Sequence, residues 1–305
     1  MSQTRPRFAL DVPQRGDAAL VARVCRRAEE LGYAGLWAMD NAMPSQPQLA
    51  PVPLLSFVAG HTERIRLGIA VFVLPRYNPA QIARELAVLD VLCGGRLDAG
   101  VGLGHPLAAL TGLGFPADRQ FRRLVEGVGV MKALWTQERA AFEGEIWRFS
   151  DCPLEPKPLQ RPYPPLWFGL GGPRGLRLAA QEGDAWIGAG SSSTSQFTER
   201  ARLLREELAA AGRDPASFPI AKRVYIAVGE SVQRAHAALQ PVLDGQYGAP
   251  GLTDRVAVCG PPEHCGEQLE RILDAGAEML VLNPLHDPEG QLDAVTELTH
   301  VLARH

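Results

Sequence analysis

The stretch FGLGGPRG at residues 168–175 sets four glycines around a proline and an arginine, directly after an apolar run. It is not a P-loop, because no Lys-Ser or Lys-Thr follows, and it is not GxGxxG, because Arg174 stands where the third glycine would be. Extended chain through Gly169, Leu170, Gly171 and Gly172, with Pro173 suited to the first position of a helix, offers bare backbone N–H groups beside a cation at Arg174. That combination suits an anion. Taken alone, the stretch favours the plainer reading, a strand-to-helix turn that binds nothing. A second glycine set, Gly100, Gly102 and Gly104 in DAGVGLGH, alternates along one side of an extended segment. Glycine weakens a strand interior, so the missing side chains either admit something flat against the backbone or make room for larger neighbours.

The elements that hold these residues follow from periodicity. Eight short, β-rich apolar runs begin at Arg7, Tyr33, Ile65, Arg96, Leu166, Ala185, Arg223 and Glu278. Between them lie segments of helical spacing, such as Val21, Val24, Ala28 and Leu31, or Ile82, Leu86, Leu89 and Cys93. This alternation predicts an α/β fold, a parallel (β/α)8 TIM barrel in a single domain over 1–305, with insertions after strand four (105–165) and strand seven (244–257). Charged residues make up 21% of the chain and the net charge is −3, which argues for a small-molecule partner and against nucleic acid. No run approaches the roughly 20 apolar residues of a membrane span, and none follows MSQTRPRF as a signal region would, so a cytoplasmic location is expected. Five scattered cysteines without a CxxC pair read as reduced thiols.

Chemistry in such a barrel sits at the C-terminal strand ends. Here these are Asp11, Asp40-Asn41, Val71 to Leu74, Gly102 to His105, Leu170 to Gly172, Gly188 to Ser191, Gly229 and Asn283. No strand ends in a lysine for Schiff-base chemistry, and no His-x-His pair suggests a metal. A mouth this poor in charge points to a bound cofactor that carries the reaction. Trp37, Met39, Met43, Phe72 and Tyr77 lie at or near strand ends and suit either an apolar substrate pocket or ordinary packing.

The segment RLGIAVFVLPRYNPAQIARELAVLDVLCGGRLDAGVGLG, with NP opening a helix, then ELAVLD, then GGR before a glycine-rich strand, resembles the luciferase-like flavin- or deazaflavin-dependent oxidoreductases. FEGEIWRF, PPLWFGLGG, AAQEGDAWI and GPPEHCGEQLERILDAGAEMLVLNP carry the resemblance along nearly the whole chain. It implies that the turn at Gly169, Leu170, Gly171 and Gly172 holds the cofactor phosphate. It also implies that Ala70-Val71 is a non-proline cis peptide bulging against the ring, and that Gly102, Leu103 and Gly104 flank that ring. Many relatives carry Asp-His or Glu-His after the second strand, whereas this chain has Asp40-Asn41. Asparagine orients an oxygen by hydrogen bonds but exchanges no proton near neutral pH. His105, ending the fourth strand, is the nearest candidate to replace that histidine; otherwise it is a solvated loop residue before Pro106. The arginine that some FMN-using luciferases place in the glycine-rich strand is absent from GVGLG, which tilts the expectation toward the deazaflavin coenzyme F420.

The expected function is therefore hydride transfer between reduced F420 and a small organic substrate, with catalytic candidates Asp40, Asn41 and His105 and a substrate pocket at Trp37, Met39 and Phe72. FMN-dependent oxygen activation, served by a flavin reductase, is the alternative, and a flavin-binding protein without turnover is a second. The resemblance also implies a homodimer through the helices after strands two and three, where the run from Leu49 to Val58 is too apolar for a solvated outer helix. Light scattering at micromolar concentration is expected to return twice the 33.0 kDa chain mass; a monomer mass would rule the dimer out.

Overall fold

The computed structural model describes residues 7–41, 46–104 and 114–302. In chain order its first half comprises β1 (Arg7–Asp11), α1 (Ala18–Glu30), β2 (Gly35–Ala38), α2 (Pro51–Ala59), β3 (Arg66–Ile69), β4 (Phe72–Val73), α3 (Pro79–Leu92), β5 (Leu97–Gly102) and α4 (Gln120–Thr136). A hairpin, β6 (Ala140–Glu143) and β7 (Arg148–Cys152), precedes β8 (Leu166–Gly169), α5 (Pro173–Glu182), β9 (Ala185–Gly188), α6 (Thr194–Ala210) and β10 (Ile220–Val228). The chain continues through α7 (Val232–Tyr247), α8 (Leu252–Val256), β11 (Val258–Gly260), α9 (Pro262–Asp274), β12 (Met279–Asn283) and α10 (Pro288–Leu302).

Eight strands close a parallel barrel in the order β1, β2, β3, β5, β8, β9, β10, β12, with β12 pairing back onto β1. All eight apolar runs of the sequence become barrel strands. The third is divided: β3 ends at Ile69, the Ala70–Val71 peptide is cis, and β4 resumes pairing with β5 through Phe72 and Val101. The seventh starts earlier than its apolar run suggests, because all nine residues of β10 are buried, Lys222 and Arg223 included. The sequence pattern also does not reveal β6–β7 or β11. The hairpin hangs on α4, whose Glu126 carboxylate accepts the N–H groups of Glu145, Ile146 and Trp147 at 2.9–3.2 Å. Strand β11 pairs only with the upper end of β10.

Local signals set the helix starts. Asp17 caps α1 by accepting the Leu20 N–H, Asn78 caps α3 ahead of Pro79, and Ser193 with Gln196 forms a capping box on α6. The apolar faces of these helices pack on the outside of the barrel. Inside, Ala9, Trp37, Trp167, Ala185, Ile187, Ala221, Met279 and Val281 form a separate apolar core. Trp37 meets Trp167 edge-on, with ring centroids 5.2 Å apart. Among the described residues, no helix is long and apolar enough to cross a membrane.

Glycines on β5 and β8 let the divided third strand fit. A side chain at Gly100 would put its Cβ 1.8 Å from the Ile69 carbonyl oxygen, so that backbone approach admits only glycine. Gly100→Ala is therefore expected to lower unfolding free energy by about 1–3 kcal/mol or more, as overpacking does, measured by urea denaturation. Wild-type stability in that variant would show that the approach is not fixed.

Candidate functional site

The C-terminal mouth of the barrel gathers three groups of residues. The first surrounds Val71, whose side chain occupies the space that Gly102 and Gly169 leave. A Cβ at either glycine would fall 2.6 or 2.8 Å from a Val71 methyl. The absent side chains thus make room for a larger neighbour between β3 and β4, the second of the two readings of the glycine-rich strand. Ala70 and Val71 are themselves only half-buried and contact the interior apolar core, so they form a small apolar step inside the mouth. Leu103 is half-buried beside it, and Gly104 is exposed with φ +64°.

Asp40 holds this step from the β2 side. One carboxylate oxygen accepts the Val73 N–H at 3.1 Å and the other accepts the Tyr77 hydroxyl at 2.8 Å. Burial raises the Asp40 pKa, and these two donors oppose the rise. With both oxygens engaged, Asp40 acts as a clamp between β2, β4 and the start of α3. Asn41 follows it, half-buried. His105 and Met43 lie outside the described residues.

The second group is the turn between β8 and α5. Leu170 is buried and its carbonyl accepts the Trp186 indole N–H at 2.8 Å, which anchors the turn. Gly171 and Gly172 are exposed. Gly172 stands at the N-cap of α5 without a side-chain cap, and a Cβ there would meet nothing within 4 Å. The first-turn N–H groups of α5 are thus open to a ligand. The cation beside them is not the one the sequence suggests. Arg174 lies 4.4 Å over the Phe121 ring on α4, whereas the Arg200 guanidinium of α6 comes within 3.0–3.1 Å of where a Gly171 Cβ would sit. Nothing in the local sequence marks Arg200; it arrives from the next helix.

The third group forms the polar floor of the mouth, above the apolar interior. The Arg223 Nε donates to Asp11 Oδ2 at 2.5 Å, and both side chains are almost wholly buried. Arg223 also donates to the Tyr225 hydroxyl at 2.9 Å, which shares a 2.6 Å hydrogen bond with the Tyr247 hydroxyl from α7. Arg15 donates to Gln246, and both Gln246 and Arg223 reach the Met39 sulfur at 3.4 Å. Asp11 Oδ1 is buried with no partner among the described residues. Burial pushes the Asp11 carboxyl up to about 6, against the pull of the adjacent guanidinium. Next to it, Lys222 points the other way, donating to the Ala189 and Ser192 carbonyls, and burial lowers its ammonium to about 7.

Met39 therefore lines the mouth cavity, together with Asp11, Arg223, Gln246 and Asn283. Trp37 and Phe72 do not. Trp37 is 1% exposed and faces a cavity of about 340 Å³ at the opposite, N-terminal end of the barrel, because it shares Met39's inward face two residues earlier and so sits one layer lower. Phe72 points outward and packs edge-on against Tyr77, 5.4 Å between centroids. The larger cavity lies at the wrong end for barrel chemistry, so the mouth remains the candidate site.

Comparison with known proteins matches this geometry to a family. Residues 2–279 fit the family model described as luciferase-like monooxygenase. Over 195 residues, 61% of this chain and 57% of the relative, the sequence is 36% identical to an F420-dependent glucose-6-phosphate dehydrogenase of Kineococcus radiotolerans. It is 30% identical to an F420-dependent hydroxymycolic acid dehydrogenase of Mycobacterium tuberculosis, over 87% of this chain and 79% of that protein. The fold superposes on an F420-dependent secondary alcohol dehydrogenase solved with an F420-acetone adduct at a TM-score of 0.84, with 21% identity and coverage of 97% and 98% of the two chains.

The Asp40 clamp is testable without any ligand. Tyr77→Phe removes a donor to a buried carboxylate and is expected to reduce unfolding free energy by about 1.5–3 kcal/mol, read by urea denaturation at pH 7. A variant as stable as the wild type would mean that the hydroxyl does not hold Asp40.

Proposed function

Because the chain belongs to the luciferase-like monooxygenase family, we propose that it is a single-domain oxidoreductase that uses coenzyme F420 to carry hydride to or from a small organic substrate. The observation that carries this reading is the open start of α5, with empty space over Gly172 and the Arg200 guanidinium beside Gly171. A ten-residue helix whose first N–H groups are bare, beside a cation, suits a phosphate group. Gly169, Leu170, Gly171 and Gly172 with Arg200 would hold that phosphate. Ala70 and Val71 would support one face of the ring, flanked by Gly102, Leu103 and Gly104. Asp40 fixes the step through Val73, Asn41 offers an amide to the ring edge or the substrate, and Met39 bounds the substrate cavity. Bound there, the deazaflavin supplies a carbon centre that exchanges hydride and reacts poorly with oxygen. The names of the curated relatives favour F420 over FMN.

Exposed apolar side chains support a homodimer. Leu49, 41% exposed, precedes α2, and Val91 and Leu92, 37% and 60% exposed, end α3, which are the helices expected at the interface.

Titration with F420 tests the cofactor assignment. The wild type is expected to bind saturably, and Gly172→Val to weaken binding well over tenfold, a loss of more than about 1.4 kcal/mol, with the unfolding midpoint kept because the new side chain meets open space. Arg200→Ala is expected to weaken binding as well. Unchanged affinity in the folded Gly172→Val variant would exclude the turn as the phosphate site. Tight FMN binding with oxygen consumption would replace the reading by a monooxygenase, and binding without turnover of any substrate would leave a flavin-binding protein.

A further inference from the structure

We propose that Asp11, held by Arg223, is the residue that exchanges a proton with the reacting oxygen of an alcohol substrate or its carbonyl product. The inference rests on the hydride-transfer reading above and adds the proton that must accompany the hydride. The mouth floor supplies the geometry. Asp11 ends β1, lines the cavity, and gives one oxygen to Arg223 at 2.5 Å while the other has no partner among the described residues. A buried carboxylate oxygen without a donor carries a desolvation cost, which a substrate hydroxyl would offset. Among the described residues, the other candidates near the mouth are engaged: both Asp40 oxygens accept, from Val73 and Tyr77, Lys222 points away into carbonyls, and Asn41 does not titrate.

The step balances without a further reactant. In alcohol oxidation the C–H bond breaks and its electron pair leaves as hydride to the oxidised deazaflavin, while the O–H proton passes to Asp11 Oδ1 and the carbonyl forms. Carbonyl reduction runs the same transfers in reverse. Arg223 is the positioning residue, fixing the carboxylate through Oδ2. Arg15 and Asn283 also line the cavity and offer guanidinium and amide contacts to further hydroxyls. The charged and titratable groups facing Asp11 are Arg223 and Tyr225 from β10, Tyr247 from α7 and Arg15 from the loop after β1; burial raises the Tyr225 hydroxyl well above its ordinary value, while the Lys222 ammonium, lowered to about 7, is turned away into the Ala189 and Ser192 carbonyls, so the acid limb is assigned to the Asp11 carboxyl, raised to about 6.

The sign of the pH dependence follows. Oxidation needs ionised Asp11 and speeds up as pH rises through its pKa; reduction needs the protonated form and slows over the same range. The experiment is single-turnover hydride transfer from a panel of small secondary alcohols to oxidised F420 across pH 4–9, with F420 affinity measured on every variant. Asp11→Asn is expected to lose about 10²–10⁴-fold in the transfer rate and the acid limb of the profile, while F420 affinity stays within twofold. Asp11→Glu should recover part of the rate. Asp11→Asn leaves Arg223 buried without a counter-charge, so the double variant Asp11→Asn/Arg223→Met, which removes both charges, is measured beside it and should show the same loss. A folded variant that keeps the rate and the acid limb overturns the proposal. So does loss of the limb in His105→Ala with Asp11 intact, or a wild-type profile flat from pH 4 to 8, a result that needs no variant to fold. Wild-type protein that fails to bind F420 would instead sink the cofactor assignment, which separates the two failures.

Discussion

The Val71 side chain sits where three glycines have left space, and the mouth of the barrel is arranged around that packing. Gly100 lets the Ile69 carbonyl approach, while Gly102 and Gly169 receive the two methyls. Three neighbouring strands are thereby locked to one step in the backbone, and β4 can rejoin β5 one residue later. Asp40 completes the arrangement from the opposite side by taking the Val73 N–H. A carboxylate there costs desolvation, and its two donors are what make the position tolerable. The result is a half-buried apolar surface, held from both sides.

Below and beside that step the barrel interior changes character over a few ångströms. Trp37, Trp167, Met279 and Val281 make the lower part apolar, and the first three also line the cavity at the N-terminal end. One layer higher, Asp11, Arg223 and Tyr225 replace them with a connected polar group. A buried ion pair contributes little to stability, since the cost of desolvating both charges offsets most of their attraction. Its location is the boundary between the apolar core and the open mouth, where one Asp11 oxygen stays buried without a partner among the described residues.

The two cations near the β8–α5 turn show how tertiary packing reassigns roles. Arg174 is adjacent in sequence, yet its guanidinium stacks on Phe121, a contact that joins α5 to α4. Arg200 is distant in sequence and reaches the turn because α6 packs against α5. An anion at the start of α5 would therefore feel the helix terminus and a charge from the neighbouring helix together.

Periodicity and turn chemistry were enough to read the eight-stranded barrel and the glycine turn at 169–172 with a helix starting at Pro173 from the amino-acid order, because each depends on residues close together in the chain. The family likeness was equally local, carried by contiguous segments such as RLGIAVFVLPRYNPAQ, and with it came the cis peptide at Ala70-Val71. Three further features were decided only by the folded chain. Depth along the strand put Trp37 below the mouth while leaving Met39 in it, and the outward face took Phe72 away from it. The glycines of β5 needed a partner to be interpreted, and that partner, Val71, comes from the break between β3 and β4. Asp11 and Arg223 are 212 residues apart, so their pairing has no signature in the sequence; closure of β12 and β10 onto β1 is what brings them within 2.5 Å.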